Sequence, residues 1–253
     1  MLGTGLDLPY ISRMSSALDT RPANFCETCA VRNRAICADL DTAEIAALNS
    51  IGRRRALKAG EQLMWEGDEA ILVANVIDGM LKLATHTSDG KEQILGLIYP
   101  ADFVGRPFGE TSPYGVEALS DSLVCVFERK DFERFAREHP RLEHKLLQRT
   151  LGELDRTRRW MLLLGRMSAE QKIATFLLEL ADRLPSQTQS HGGEGETLIY
   201  LSLSRQQLAD VLGLTIETVS RQLNGLRKSG IIEIPGRREL RILDRDALEA
   251  RAA

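Results

Sequence analysis

The chain has 253 residues, 43% of them apolar and 27% charged, with a formal net charge of −3 at pH 7. That length holds two domains with a core in each, and the near-neutral balance argues against a basic coat protein that binds nucleic acid everywhere, so any DNA contact must come from a local face. No apolar run is long enough to span a membrane, and the opening MLGTGLDLPYISRMSS lacks the basic-then-apolar layout of a signal peptide, which makes the cytoplasm the expected compartment.

Residues 1–20 show no periodicity and read as an arm. The next twenty hold FCETCAVRNRAIC, which places Cys26, Cys29 and Cys37 at a C-x2-C-x7-C spacing. Cysteines in a reducing compartment point to free thiols or metal ligands rather than structural disulfides. Three close thiols bind a metal when a fourth ligand arrives, and Cys125 is the only other cysteine. Four thiolates suit either tetrahedral zinc or an iron–sulfur cluster. The seven-residue gap is loose for a compact zinc knuckle, yet by spacing alone the two metals stand level. The plain alternative for Cys125 is a small buried apolar residue. Asp41 to Ile51 follows as a short helix, capped by Asp41 with Glu44 in the box position. Residues 1–52 thus form an arm and a cysteine-rich segment.

Residues 53–138 change pattern. Turns at Gly60, Gly67–Asp68, Asp78–Gly79 and Asp89–Gly90 recur about every ten residues, with strand-like runs at Ile71–Ile77, Leu81–Thr85, Gln93–Ile98 and Leu123–Phe127 between them. Such spacing predicts an antiparallel sandwich or barrel, with a hairpin closed at Asp89–Gly90. The period then becomes helical: Asp131–Glu138 is a short helix stopped near Pro140. Residues 139–167 hold one long helix in which Leu147, Leu151, Leu154, Met161 and Leu164 recur near a 3-4 repeat, interrupted by Arg158. The stripe suits either a core helix of this domain or, as helix-turn-helix proteins on palindromic operators commonly need, a dimerisation face pairing with its twin; the family resemblance below favours the second.

Residues 168–253 form the last unit. Ser168 with Gln171 caps another amphipathic helix. PSQTQSHGGEGET, 185–197, is a polar loop, and Leu198–Leu203 is strand-like. Ser204 with Gln207 opens a helix carrying Leu208, Val211 and Leu212; Gly213 breaks it, and Thr215 caps a second helix with Val219, Leu223 and Leu226 at helical spacing. Two short helices across a glycine turn make a helix-turn-helix. The second helix of such a pair lies in the DNA major groove with its N-terminal residues on the base edges; the plain alternative is an αα-hairpin with a solvated charged face. Glu217, Ser220 and Arg221 share one face. A glutamate accepts from cytosine N4 and an arginine forks onto guanine O6 and N7; Thr218 and Thr215 flank them. Ile231–Ile234, a Pro235–Gly236 turn and Leu240–Leu243 make a two-stranded wing with Arg237 and Arg238 at its tip.

LGLTIETVSRQL resembles the recognition stretch of the CRP/FNR family of bacterial transcription regulators, and its E-x-x-S-R signature resembles the FNR branch. The resemblance spans about residues 24–245. It implies an α+β architecture: an N-terminal antiparallel β-roll like a cyclic-nucleotide-binding jelly roll, a long dimerisation helix and a C-terminal winged helix-turn-helix. It implies that Glu217, Ser220 and Arg221 read TTGAT half-sites in an inverted repeat, that the protein is a homodimer, and that it acts on RNA polymerase. It also implies that Cys26, Cys29, Cys37 and Cys125 (in ALSDSLVC) bind an oxygen-labile [4Fe-4S] cluster. The x7 gap departs from the enteric pattern. Phe108–Gly109–Glu110 match the family's nucleotide-binding motif, but Thr111–Ser120 supplies no arginine or lysine for a cyclic phosphate, so no cyclic nucleotide is expected. Competing expectations are a regulator of the same fold sensing a small molecule or a haem-bound gas, with His86 as candidate ligand, and a structural zinc. No nucleophile–base set or phosphate loop suggests an enzyme.

Overall fold

The computed structural model describes residues 25–90, 92–184 and 197–253. The expected arm at 1–20 and nearly all of the polar loop at 185–197 lie outside the described residues.

A chain of tight turns from Phe25 to Leu40 leads into α1 (Thr42–Ile51), whose Asp41 and Glu44 form a reciprocal capping box. Eight strands follow: β1 (Gly52–Leu57), β2 (Gln62–Met64), β3 (Leu72–Asp78), β4 (Leu81–His86), β5 (Glu92–Ile98), β6 (Phe103–Gly105), β7 (Gly115–Ala118) and β8 (Ser122–Glu128). They form two antiparallel sheets, in the orders β1-β8-β3-β6 and β2-β7-β4-β5. Leu72, Ala74 and Val76 of β3 face Leu81, Val116, Ala118 and Val124 between the sheets. Val73 and Ile77 face the other way, under the cysteine segment. Both faces of β3 are therefore buried, which is why its sequence is nearly all apolar instead of alternating. The β3–β4 turn needs glycine: Gly79 has φ +85°, and a Cβ there would sit 2.1 Å from Ser122 Oγ.

Two helices close the roll: α2 (Arg129–Glu138) and α3 (Pro140–Arg166), 27 residues with proline at the start. Along α3 only Leu142 and Leu163 are buried. The C-terminal unit starts with α4 (Ala169–Arg183), capped by Ser168 and Gln171. It continues with β9 (Thr197–Tyr200), α5 (Arg205–Leu212), α6 (Ile216–Lys228), β10 (Ile232–Glu233), β11 (Glu239–Ile242) and α7 (Arg245–Ala252). The expected two-stranded wing is a three-stranded sheet, β10-β11-β9, because Leu198–Tyr200 pairs along Glu239–Arg241. Phe176, Leu177, Leu180, Leu208, Leu212, Val219, Leu223 and Leu226 make its core, and Met80, Ile94, Leu97 and Tyr99 of the roll pack into the same cluster. Among the described residues, no helix is long and apolar enough to cross a membrane.

Candidate functional site

The helix-turn-helix is built as its caps dictate. Ser204 Oγ accepts from Gln207 N–H and Gln207 Oε1 accepts from Ser204 N–H. Gly213 ends α5 at φ 60°, ψ 43°, the left-handed conformation that glycine adopts without a Cβ penalty. Thr215 Oγ1 then accepts from Thr218 N–H at 3.3 Å and starts α6. Val219, Leu223 and Leu226 are buried against α5 and α4, which turns Glu217 and Arg221 out to solvent with Ser220 half-buried between them. The Glu217 carboxyl is held below its ordinary range by its own backbone N–H and by the Thr215 hydroxyl. It is therefore an acceptor without a proton, the state that suits a cytosine amino group. Among the described residues, Arg221 makes only a long contact, to Thr218 Oγ1 at 3.5 Å, and keeps most of its donors for a ligand. Arg237 and Arg238 are exposed at the wing turn.

The four cysteines are brought together. Cys125 lies in the middle of β8, 7% exposed, on the face that carries Val73 and Phe127. Cys26, Cys29 and Cys37 are half-buried and pack against the same cluster. The long gap between Cys29 and Cys37 has a structural reason. It holds Val31, Ala35 and Ile36, which are 2%, 1% and 0% exposed and pin the segment to the roll. Cys29 N–H donates to Cys26 O, and Ala35 N–H donates to Val31 O, so successive turns fold the gap back on itself. Burial, then the neighbouring thiols of Cys37 and Cys29, push the Cys26 thiol up to about 11. Burial also raises Cys37, and it raises Cys125 well above the ordinary thiol range, with Cys26, Cys29 and Cys37 adding to the effect. Among the described residues, no three His, Cys, Asp or Glu groups converge tightly enough to hold a single ion.

The segment also touches the long helix. Lys145 Nζ reaches Asp39 Oδ2 at 2.9 Å, Leu146 packs on the cysteine cluster, and Arg149 acts on Cys37. Along α3, Leu147, Leu151, Leu154, Met161 and Leu164 are all exposed, by 43% to 69%, as is Leu162, which the repeat did not flag. Arg158, which interrupts the stripe, pairs with Asp155 on its own helix. His86 stands at the exposed end of β4, 3.5 Å from Glu66. Phe108 sits at φ +63° with its N–H on Glu133.

Residues missed from sequence include Arg54, Asn75 and the Asp102–Arg156–Arg183 ion group. Arg54 lies in a run of three arginines with no apolar alternation, and the partners of Asp102 are far away along the chain.

Residues 171–251 match the family model for a Crp-like helix-turn-helix domain, and residues 54–139 match that for a cyclic nucleotide-binding domain. The chain is 42% identical over 219 residues to the transcriptional activator protein FnrL of Cereibacter sphaeroides, covering 87% of this chain and 88% of that protein. It is 38% identical over 211 residues to the nitrogen fixation regulation protein FixK of Bradyrhizobium diazoefficiens, covering 83% and 87%. The solved structure of FixK2 from Bradyrhizobium japonicum superposes with a TM-score of 0.71 at 32% identity, over 80% of this chain and 98% of that one. A winged helix-turn-helix with a free recognition face, an antiparallel roll and this extent of identity lead to one assignment: the chain belongs to the CRP/FNR family of transcription regulators, DNA-binding proteins and not enzymes.

Proposed function

We propose that the chain is an oxygen-responsive regulator of anaerobic-metabolism genes. In this reading Cys26, Cys29, Cys37 and Cys125 hold a [4Fe-4S] cluster when oxygen is absent, and the homodimer binds TTGAT/ATCAA inverted repeats and acts on RNA polymerase. The observation that carries the reading is the gathering of four thiols, three from a segment docked on the roll and one from the roll itself, beside the helix with the bare apolar stripe. The donor set fits the group: four sulfurs with no histidine or carboxylate among them match the all-cysteine ligation of such clusters. When bound, the cluster supplies an oxygen-labile bond between the segment and β8.

The rest is done by the chain. Val31, Ala35 and Ile36 seat the segment, and Asp39 and Leu146 connect it to α3. A seated segment favours one placement of α3, and with it the presentation of Leu147, Leu151, Leu154, Met161 and Leu164 to a second protomer. Pairing sets two recognition helices at the spacing of a palindromic operator. Oxygen response is then a coupling between thiolate ligation and dimer population. The roll acts as scaffold, with no cationic residue in Thr111–Ser120 for a cyclic phosphate. The test is Cys125→Ala, compared with wild type with and without oxygen. It should carry no iron and neither dimerise nor bind operator anaerobically. Oxygen-dependent operator binding by this variant would remove Cys125 from the ligand set.

A further inference from the structure

The rung of the sheet beneath the cysteine segment holds three residues side by side. Cys125 on β8 is registered opposite Arg54 on β1 and opposite Asn75 on β3. Directly opposed residues of antiparallel strands point to one face, so Arg54 and Asn75 flank Cys125 on the side where the other thiols lie. Each flanking residue keeps one buried polar atom without a partner. Arg54 Nη2 donates to the main-chain oxygen of Phe25 at 2.6 Å, and its guanidinium lies 5.4 Å from the centre of the Phe25 ring. Its Nε is buried without an acceptor, and among the described residues no carboxylate pairs with it. Asn75 is 3% exposed and its Oδ1 is buried without a donor. A buried polar atom left unpaired is costly. The orphaned Nε of Arg54 calls for an acceptor, best an anionic one; the orphaned Oδ1 of Asn75 is itself an acceptor, and only an amide turned about its last bond puts N–H donors beside the thiolate.

We infer that Arg54 and Asn75 are positioning residues for the thiolate site: Arg54 is its counter-ion, and the Asn75 amide, turned with its N–H groups toward sulfur, is its hydrogen-bond donor. The inference rests on the proposed function. Four thiolates around a [4Fe-4S]2+ core carry a net negative charge, which the Arg54 guanidinium offsets. Arg32 and Arg149 also act on these sulfurs, but they approach from the segment and from α3. Arg54 is built into the sheet beside Cys125. Hydrogen bonds and charge around cluster sulfurs are among a protein's means of tuning such a centre. Arg54 has a second duty, since its bond to Phe25 straps the start of the cysteine segment to β1.

The test separates charge from strap. Arg54→Gln, Arg54→Lys and Asn75→Leu are loaded anaerobically, and iron loss to a chelator is timed. Each is also prepared free of iron, and the alkylation rate of Cys125 is measured as a report of segment docking. Arg54→Gln should release iron about tenfold faster than wild type, Arg54→Lys should recover most of the lifetime, and Asn75→Leu should shorten it. Equal iron lifetimes in Arg54→Gln and wild type would overturn the proposal. So would equally short lifetimes in Arg54→Gln and Arg54→Lys with faster Cys125 alkylation in both, because Arg54 would then be a strap alone. A wild-type protein without iron and sulfide would instead overturn the cluster reading, and this inference with it.

Discussion

Asp102, between β5 and β6 of the roll, takes an ion pair at 2.5 Å from Arg183 in the last turn of α4. The same carboxylate accepts from Arg156 of the long helix at 3.3 Å and from the Tyr99 N–H at 3.0 Å. One buried carboxylate therefore joins the roll, the long helix α3 and the DNA-binding unit. Arg183 also lies over the Tyr99 ring, 5.1 Å from its centre. Asp102→Asn leaves two partly buried guanidiniums short of their counter-charge. It should cost about 2–3 kcal/mol, read as a lowered urea midpoint, less than the full penalty for breaking a wholly buried pair. Adding Arg183→Met should recover part of that loss. Additive losses in the double variant would mean that the pair carries no coupling.

The stripe on α3 gives an independent prediction. Leu151 and Leu154 are 53% and 43% exposed in the single chain, so the fold does not need them. Leu154→Glu should change the stability of the monomer by less than about 1 kcal/mol and abolish the dimer in sedimentation at micromolar protein. A variant that still dimerises would place the interface elsewhere.

Arg221→Ala should weaken operator binding by about 1–3 kcal/mol and relax preference at one base pair of each half-site. Binding measured across a set of single-base operator variants reads both effects. An unchanged ranking of those variants would remove Arg221 from base recognition.

Glu179 predicts a pH dependence. Burial holds its carboxyl above the ordinary value of 4.5, against the opposing pull of Arg156, Arg183 and the Trp160 side chain. A carboxyl that binds its proton more tightly when folded favours the folded state most below its unfolded value, and that contribution is lost as pH rises through the folded value. Glu179→Gln should therefore flatten the decline in stability on the alkaline side of 4.5. Parallel wild-type and Glu179→Gln curves of urea midpoint against pH would contradict it.

Local chemistry was legible where it needed only near neighbours. The boxes at Asp41/Glu44, Ser168/Gln171 and Ser204/Gln207 all form, because a cap is decided within one turn. The helix-turn-helix and the stripe on α3 were legible as helical periodicity. Short strands were not. Gly52–Leu57 carries Arg53, Arg54 and Arg55 and shows no apolar alternation, yet it pairs along β8. Phe103–Gly105 is three residues long and exists only by pairing with β3. The third strand of the wing, the last helix α7 and the Asp102 ion group depend equally on partners remote in sequence. At the cysteine site the residue types were plain, but the reason for the long gap was not. Val31, Ala35 and Ile36 look like ordinary apolar residues until the roll beneath them is seen.

The most direct test of the central claim is an anaerobic absorbance spectrum of the purified protein, with iron and sulfide analysis, followed by admission of air and sizing. A broad iron–sulfur band, iron and sulfide in equal amounts, and loss of both band and dimer in air are the predicted result. A colourless protein carrying zinc, or a sharp Soret band, would leave the DNA-binding assignment standing and contradict oxygen sensing through Cys26, Cys29, Cys37 and Cys125.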